Sequence, residues 1–121
     1  MSKKIMICDD DQGILEMMEV IMEEYGFQSF TQINSTKIFE DIKRERPDLL
    51  LLDIWMPTMS GDQVFKQIKS NPDFSDLKVM MYSASAEGVA IAKKSGADDY
   101  IAKPFDLEVL IDKIKTLTGA S

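Results

Sequence analysis

Polar residues interrupt this chain at regular intervals, and the apolar runs between them are short. Leu49-Leu50-Leu51-Leu52 does not alternate with polar residues at all. A strand that is apolar on both faces must be covered on both, as the central strands of parallel sheets are. The run stops at Asp53, and Pro57 soon afterwards lacks the amide a ladder needs. Lys4-Ile5-Met6-Ile7-Cys8 is a run of the same kind that stops at Asp9-Asp10-Asp11, and Val79-Met80-Met81-Tyr82 stops at Ser83. Asp98 to Ala102 reads as another strand, ending at Lys103-Pro104. Phe27 to Ile33 has a mixed pattern, which predicts a strand nearer the sheet edge.

Helical spacing fills the gaps. Ile14, Leu15, Met18, Ile21, Met22 and Tyr25 predict one helix, closed by Gly26 as a left-handed cap. Asn34 or Ser35 can cap a second, with Ile38, Phe39 and Ile42 inward and Pro47 closing it. Ser60 and Gln63 have capping-box spacing ahead of a third, which buries Val64, Phe65 and Ile68 and runs to about Ser70. A fourth covers Glu87 to Lys94 and ends at Gly96. Asp106 caps a fifth, with Leu107, Leu110, Ile111, Ile114 and Leu117 on one face. Strand and helix thus alternate five times. Strands joined by crossover helices make a parallel sheet with right-handed connections. The reading is one domain over residues 1–121, with a structured core over 4–118.

Composition narrows the function. The net charge is −7, and no basic stripe is present to follow a nucleic-acid backbone. No apolar run is long enough to span a bilayer, and Met1-Ser2-Lys3-Lys4 lacks the apolar region of a signal peptide, so a cytoplasmic protein without membrane contact is expected. The single cysteine, Cys8, reads as a small buried hydrophobe in a reducing compartment. Most of the nine methionines read as core filler. Histidine is absent, so any chemistry falls to carboxylates, hydroxyls and lysines.

In a parallel sheet all carboxyl ends lie on one edge, where open α/β sheets place their sites. Asp9, Asp10, Asp53, Ser83 and Lys103 all stand at strand ends. Taken singly, each has an ordinary role as a turn, cap or solvated charge. Taken together, they bring three acids, a hydroxyl and an amine to one place. Carboxylates at close range repel unless a cation intervenes. A hard divalent ion with oxygen ligands answers that need, and Mg²⁺ suits a site that leaves room for water and phosphate. The positive charge of the ion and of Lys103 would then attract phosphoryl oxygens, with Asp53 as the oxygen nucleophile.

With those motifs in order, the chain resembles a receiver domain of a two-component response regulator, similar to the single-domain chemotaxis-type regulators. The residues that carry the resemblance are Asp9-Asp10, Asp53 within Leu-Leu-Asp-Ile-Trp-Met-Pro, Gly61, Ser83-Ala84, Gly96-Ala97-Asp98-Asp99-Tyr100 and Lys103-Pro104-Phe105. The resemblance implies a (βα)5 flavodoxin-like doubly wound α/β fold with strand order 2-1-3-4-5. It implies that Asp53 accepts a phosphoryl group from a sensor histidine kinase or a histidine phosphotransfer protein. Mg²⁺ (or Mn²⁺) would be held by Asp10, Asp53 and the Trp55 backbone carbonyl, with Asp9 acting mainly through water. Lys103 would pair with Asp53 at rest and with a phosphoryl oxygen afterwards. Ser83, followed by Ala84, would bond the phosphoryl group, and Tyr100 would turn inward as Ser83 moves. Lys103-Pro104 would be a cis peptide. The protein would be a signalling switch, not an enzyme beyond self-phosphotransfer and autodephosphorylation, and would signal to a downstream protein target.

Two features depart from the common pattern. Trp55 is bulkier than the residue many relatives carry there, and it is expected to border the phosphoryl pocket and limit attacking water. Ser83 and Lys103 stand closer in sequence than in the family, and Gly88 weakens the helix between them. That places in question a phosphorylation-dependent homodimer through this helix. A stand-alone or N-terminal receiver is the leading expectation, and the alternative is a receiver-like interaction module that takes no phosphate. A phosphohydrolase would place its nucleophile on the first strand and need a cap. A flavin domain would need a phosphate-cradling loop where three acids stand.

Overall fold

The computed structural model describes residues 2–120. Five strands, β1 (Lys4–Cys8), β2 (Gln28–Gln32), β3 (Leu49–Asp53), β4 (Lys78–Ser83) and β5 (Asp99–Ala102), form one parallel sheet in the order β2-β1-β3-β4-β5. The helices are α1 (Gln12–Glu24), α2 (Ile38–Glu45), α3 (Gly61–Ser70), α4 (Ala86–Ser95) and α5 (Leu107–Thr118). The expected flavodoxin-like α/β fold is the one observed.

The leucine run does what its lack of alternation requires. Leu50 and Leu52 pack with Ile38, Ile42, Val64, Phe65 and Ile68 of α2 and α3. Leu49 and Leu51 pack on the other face with Leu15, Met18 and Met22 of α1 and Leu110, Ile111 and Ile114 of α5. All five residues of β3 are buried. At roughly 1.5–3 kcal/mol for each fully buried leucine, this strand contributes heavily to the core. Cys8, Met6, Met18, Met22, Met80 and Met81 are buried as expected.

Local chemistry sets the ends. Asp11 caps α1 by accepting from the Gly13 and Ile14 amides, and Gly26 follows with φ 81°. The Ser60 amide donates to Gln63 Oε1 at 3.0 Å, as the predicted capping box requires. Asp106 caps α5 through the Glu108 and Val109 amides.

Three expectations need correction. Asn34 caps a separate 3-10 turn (Ser35–Lys37), and α2 begins only after it, because the Asn34 side chain bonds the Thr36 amide within that turn. Ile33 lies beyond the paired part of β2 and is exposed. Leu107 opens α5 on its exposed side and does not join the buried face.

Candidate functional site

The sheet register brings the chemistry together. Asp53 stands opposite Tyr82, and Ser83 opposite Ala102. Backbone pairing continues just past the strands, with the Asp9 amide donating to Gln32 O at 3.2 Å, Ile54 to Tyr82 O at 3.1 Å and Lys103 to Ser83 O at 2.8 Å. The first residues of three loops are therefore held as firmly as the sheet. Asp9 is 1% exposed and Asp53 5%, while Asp10 reaches solvent. One carboxylate oxygen from each of Asp9, Asp10 and Asp53 lies within 4.8 Å of the other two. Three hard oxygen donors at that spacing, one of them open to water, suit a small divalent cation that keeps part of its hydration.

The charges constrain one another. Burial, with the neighbouring charge of Asp9, pushes the Asp53 carboxyl up to about 6, against the opposing pull of Lys103. The Lys103 ammonium is 3.4 Å from Asp9 Oδ2 and 3.7 Å from Asp53 Oδ1. It is thus shared between the two acids and lies slightly nearer Asp9. The physical reason is that two buried acids compete for one cation. Asp9 also accepts from the Asp11 amide at 2.9 Å and from the Tyr82 hydroxyl at 2.7 Å. Burial and Asp9 raise the Tyr82 phenol far above its ordinary range, so it stays a donor. Burial likewise pushes the Cys8 thiol up to about 12, leaving it an unreactive core group.

Ser83 is 1% exposed, and its Oγ accepts from the Ser85 amide at 3.2 Å. Trp55 is 45% exposed, and its indole N–H donates to Ser85 Oγ at 2.9 Å. Ser85 Oγ also accepts from the Gly88 amide at 3.0 Å as the N-cap of α4. One serine therefore ties the loop after β3 to the start of α4. A β-carbon on Gly88 would overlap Ser83 Oγ and stand 3.0 Å from Trp55 Nε1. The glycine that weakens helix propensity is what lets α4 approach this closely. Tyr100 is half-buried against the α3 and α4 side of the core, with the Lys93 ammonium 5.3 Å from its ring centroid. The Lys103-Pro104 peptide is cis.

Tyr82 and Ser85 are the site neighbours that sequence reasoning passed over. Tyr82 reads as a strand hydrophobe, and nothing local reveals a partner so distant in sequence. The only available signal was the polar tip on an otherwise apolar run.

The family model described as the response regulator receiver domain matches residues 5–115. The chain belongs to the response regulator receiver domain family. Sporulation initiation phosphotransferase F of Bacillus subtilis is 31% identical over 115 residues, which cover 95% of this chain and 93% of that protein. The DNA-binding response regulator MtrA of Mycobacterium tuberculosis is 31% identical over 117 residues, covering 95% of this chain but 50% of MtrA. The chain thus spans about half the length of this DNA-binding relative. The solved receiver domain protein (CheY-like) from Methanospirillum hungatei superposes with a TM-score of 0.83 at 31% identity, covering 99% of this chain and 97% of that one. Receiver domains are signalling switches. No helix of this one, among the described residues, is long and apolar enough to cross a membrane.

Proposed function

We propose that this receiver domain takes a phosphoryl group onto Asp53 from a phosphohistidine of a sensor kinase or phosphotransfer protein, with Mg²⁺ bound. The observation that carries the reading is the placement of Asp53 at the buried end of β3, beside two further acids and within 3.7 Å of the Lys103 ammonium. Asp10, Asp53 and the Trp55 carbonyl would hold the ion, with Asp9 behind it. When bound, the ion neutralises the acids and the charge of the incoming phosphoryl oxygens. An Asp53 carboxylate oxygen attacks phosphorus, the phosphorus–nitrogen bond breaks, and the imidazole leaves with the electron pair and takes up a proton. The product is an acyl phosphate on Asp53. Lys103 is poised to leave its shared position and pair with a phosphoryl oxygen.

Ser83 and Tyr100 would carry the switch. Ser83 Oγ accepts from the Ser85 amide at rest; to bond the phosphoryl group it would turn its hydroxyl hydrogen to donate to a phosphoryl oxygen, and Tyr100 would follow toward the space it vacates. The modification shifts an existing equilibrium by the difference in bonding between the two positions. The partner reading is supported by an apolar groove of about 570 Å³ lined by Ile14, Met17, Ile21, Phe105 and Leu107, with Lys103 and Ala84 at its margin. A partner helix seated there would carry its histidine toward Asp53.

Intact mass after incubation with Mg²⁺ and acetyl phosphate tests the reading. The parent is expected to gain one phosphoryl group, and Asp53→Asn none. A parent that gains nothing, with no Trp55 response to Mg²⁺ or beryllofluoride, defeats it in favour of a receiver-like module that takes no phosphate. Trp55 bears on the lifetime of the product. Trp55→Asn removes the indole expected to border the phosphoryl pocket, together with its bond to Ser85, so the acyl phosphate is expected to hydrolyse several-fold faster once acetyl phosphate is removed. An unchanged decay rate would assign Trp55 to packing alone.

A further inference from the structure

Tyr82 is a buried aromatic for which phosphoryl transfer has so far required no role. Its ring packs on the α1 and α5 face of the sheet with Ile7, Leu51 and Ile101. Packing alone asks only for an apolar side chain there. The hydroxyl is directed at Asp9, donating to Oδ2 at 2.7 Å. Asp9 is 1% exposed and depends on protein donors, so this bond and the Asp11 amide at Oδ1 fix how the carboxylate is turned. The ring face is in use as well. The Lys103 ammonium stands 4.6 Å from its centroid, within cation–π range. Phe105 meets the ring edge-on, with centroids 6.1 Å apart and planes at 88°, and so holds it in place. In the sheet register the same residue lies opposite Asp53.

We propose that Tyr82 is a positioning residue of the site: its hydroxyl sets the orientation of Asp9 toward the cation, and its ring seats the Lys103 ammonium between Asp9 and Asp53. The inference rests on the reading of the acidic cluster as a Mg²⁺ site. Hydrogen bonds to metal-facing groups hold them in their productive orientation. Without the phenol, Asp9 Oδ2 keeps only the more distant ammonium, and the carboxylate turns to follow Lys103. Without the ring, the ammonium has no fixed seat and settles on one acid.

Mg²⁺ titrations followed by Trp55 fluorescence and checked by calorimetry, on the full chain and two variants, test this. Tyr82→Phe keeps the ring and is expected to fold, to unfold several degrees below the parent because buried Asp9 loses a donor, and to bind Mg²⁺ about tenfold more weakly. Its phosphorylation rate at saturating Mg²⁺ stays close to the parent's, because Lys103 keeps its seat. Tyr82→Leu is expected to lose about tenfold in that saturated rate as well. A folded Tyr82→Phe protein that binds Mg²⁺ within about twofold of the parent overturns the proposal, since loss of an orienting partner costs more than that. A lowered unfolding temperature with unchanged Mg²⁺ affinity overturns it too, and leaves the hydroxyl as a stabilising bond only. If Tyr82→Leu does not fold, the Phe variant decides alone. A parent that does not respond to Mg²⁺ is a separate result, which removes the cation reading and this inference with it.

Discussion

In Mg²⁺-free buffer near neutral pH, Asp53→Asn is expected to unfold at a higher temperature than the parent, although it can no longer take a phosphoryl group. The carboxylate sits at the buried end of β3 among other acids, and its pKa is pushed up to about 6 by burial and by Asp9. An aspartate in the unfolded chain titrates near 4. The sign follows from proton linkage. Between about pH 4 and pH 6 the folded protein holds a proton that the unfolded chain has lost, so stability falls as pH rises through that window. Above it the full penalty is present, and below it the penalty is gone. A shift of about two units, which already includes the opposing pull of Lys103, corresponds to roughly 3 kcal/mol at most, and screening by nearby solvent reduces it to a net gain on the order of 2 kcal/mol. That is roughly 5–10 °C for a chain of this size.

Two controls identify the cause. The advantage of Asn over Asp should shrink toward nothing as the pH is lowered to about 4, where both side chains are neutral in the fold. Adding Mg²⁺ should reverse the order. The parent gains about 2.7 kcal/mol at a hundred times its dissociation constant, and the variant gains little. Calorimetric scans across pH, with and without Mg²⁺, read both effects. An Asn variant no more stable than the parent near pH 7 would mean that Lys103 already compensates the cluster. The charge arrangement that makes Asp53 ready for a cation and an anion is thus the arrangement that costs the resting fold stability.

The same tension explains which parts of the molecule were legible in the sequence. Leu49 to Leu52 declared a strand buried on both faces, because burial leaves no polar alternation, and the sheet edge follows from the mixed pattern of Phe27 to Ile33. The clustering of Asp9, Asp10 and Asp53 follows from parallel topology alone, and the 4.8 Å grouping agrees with it. What stayed hidden depends on distances across the fold. Gly88 reads as a helix breaker until α4 is seen packed against Ser83 and Trp55. Leu107 has helical spacing with Leu110 and Ile111, yet the first turn of α5 overhangs a groove and leaves it exposed. Tyr82 counts as one more apolar strand residue until its hydroxyl meets Asp9. Periodicity reports which face a side chain takes. It does not report which polar tip on that face finds a partner.

Gly61→Ala is expected to be among the most damaging single-methyl changes in the chain. Gly61 begins α3 and is buried, with its amide donating to Ile54 O at 2.9 Å. A β-carbon there would overlap the Asp53 carbonyl oxygen and stand 3.0 Å from the Asp53 carbonyl carbon and Ile54 Cα. These are backbone atoms at the end of a central strand, so no rotamer change relieves the contact. Either α3 shifts as a unit or the Asp53–Trp55 backbone bends away. The expected cost is roughly 3 kcal/mol, at the upper end for overpacking a core. Urea denaturation should show it as a lower midpoint at unchanged slope. Gly13→Ala is the comparison. Its β-carbon would meet only Asp11 Oδ1 at 3.2 Å, a side-chain atom able to yield, and alanine gains about 1 kcal/mol in helix propensity over glycine. Near-neutral or slightly positive stability is expected there. If the backbone of Asp53 and Trp55 is what yields in Gly61→Ala, Mg²⁺ affinity falls together with stability. If α3 yields instead, stability falls alone. A midpoint equal to the parent's would mean that neither element is held as tightly as this contact requires.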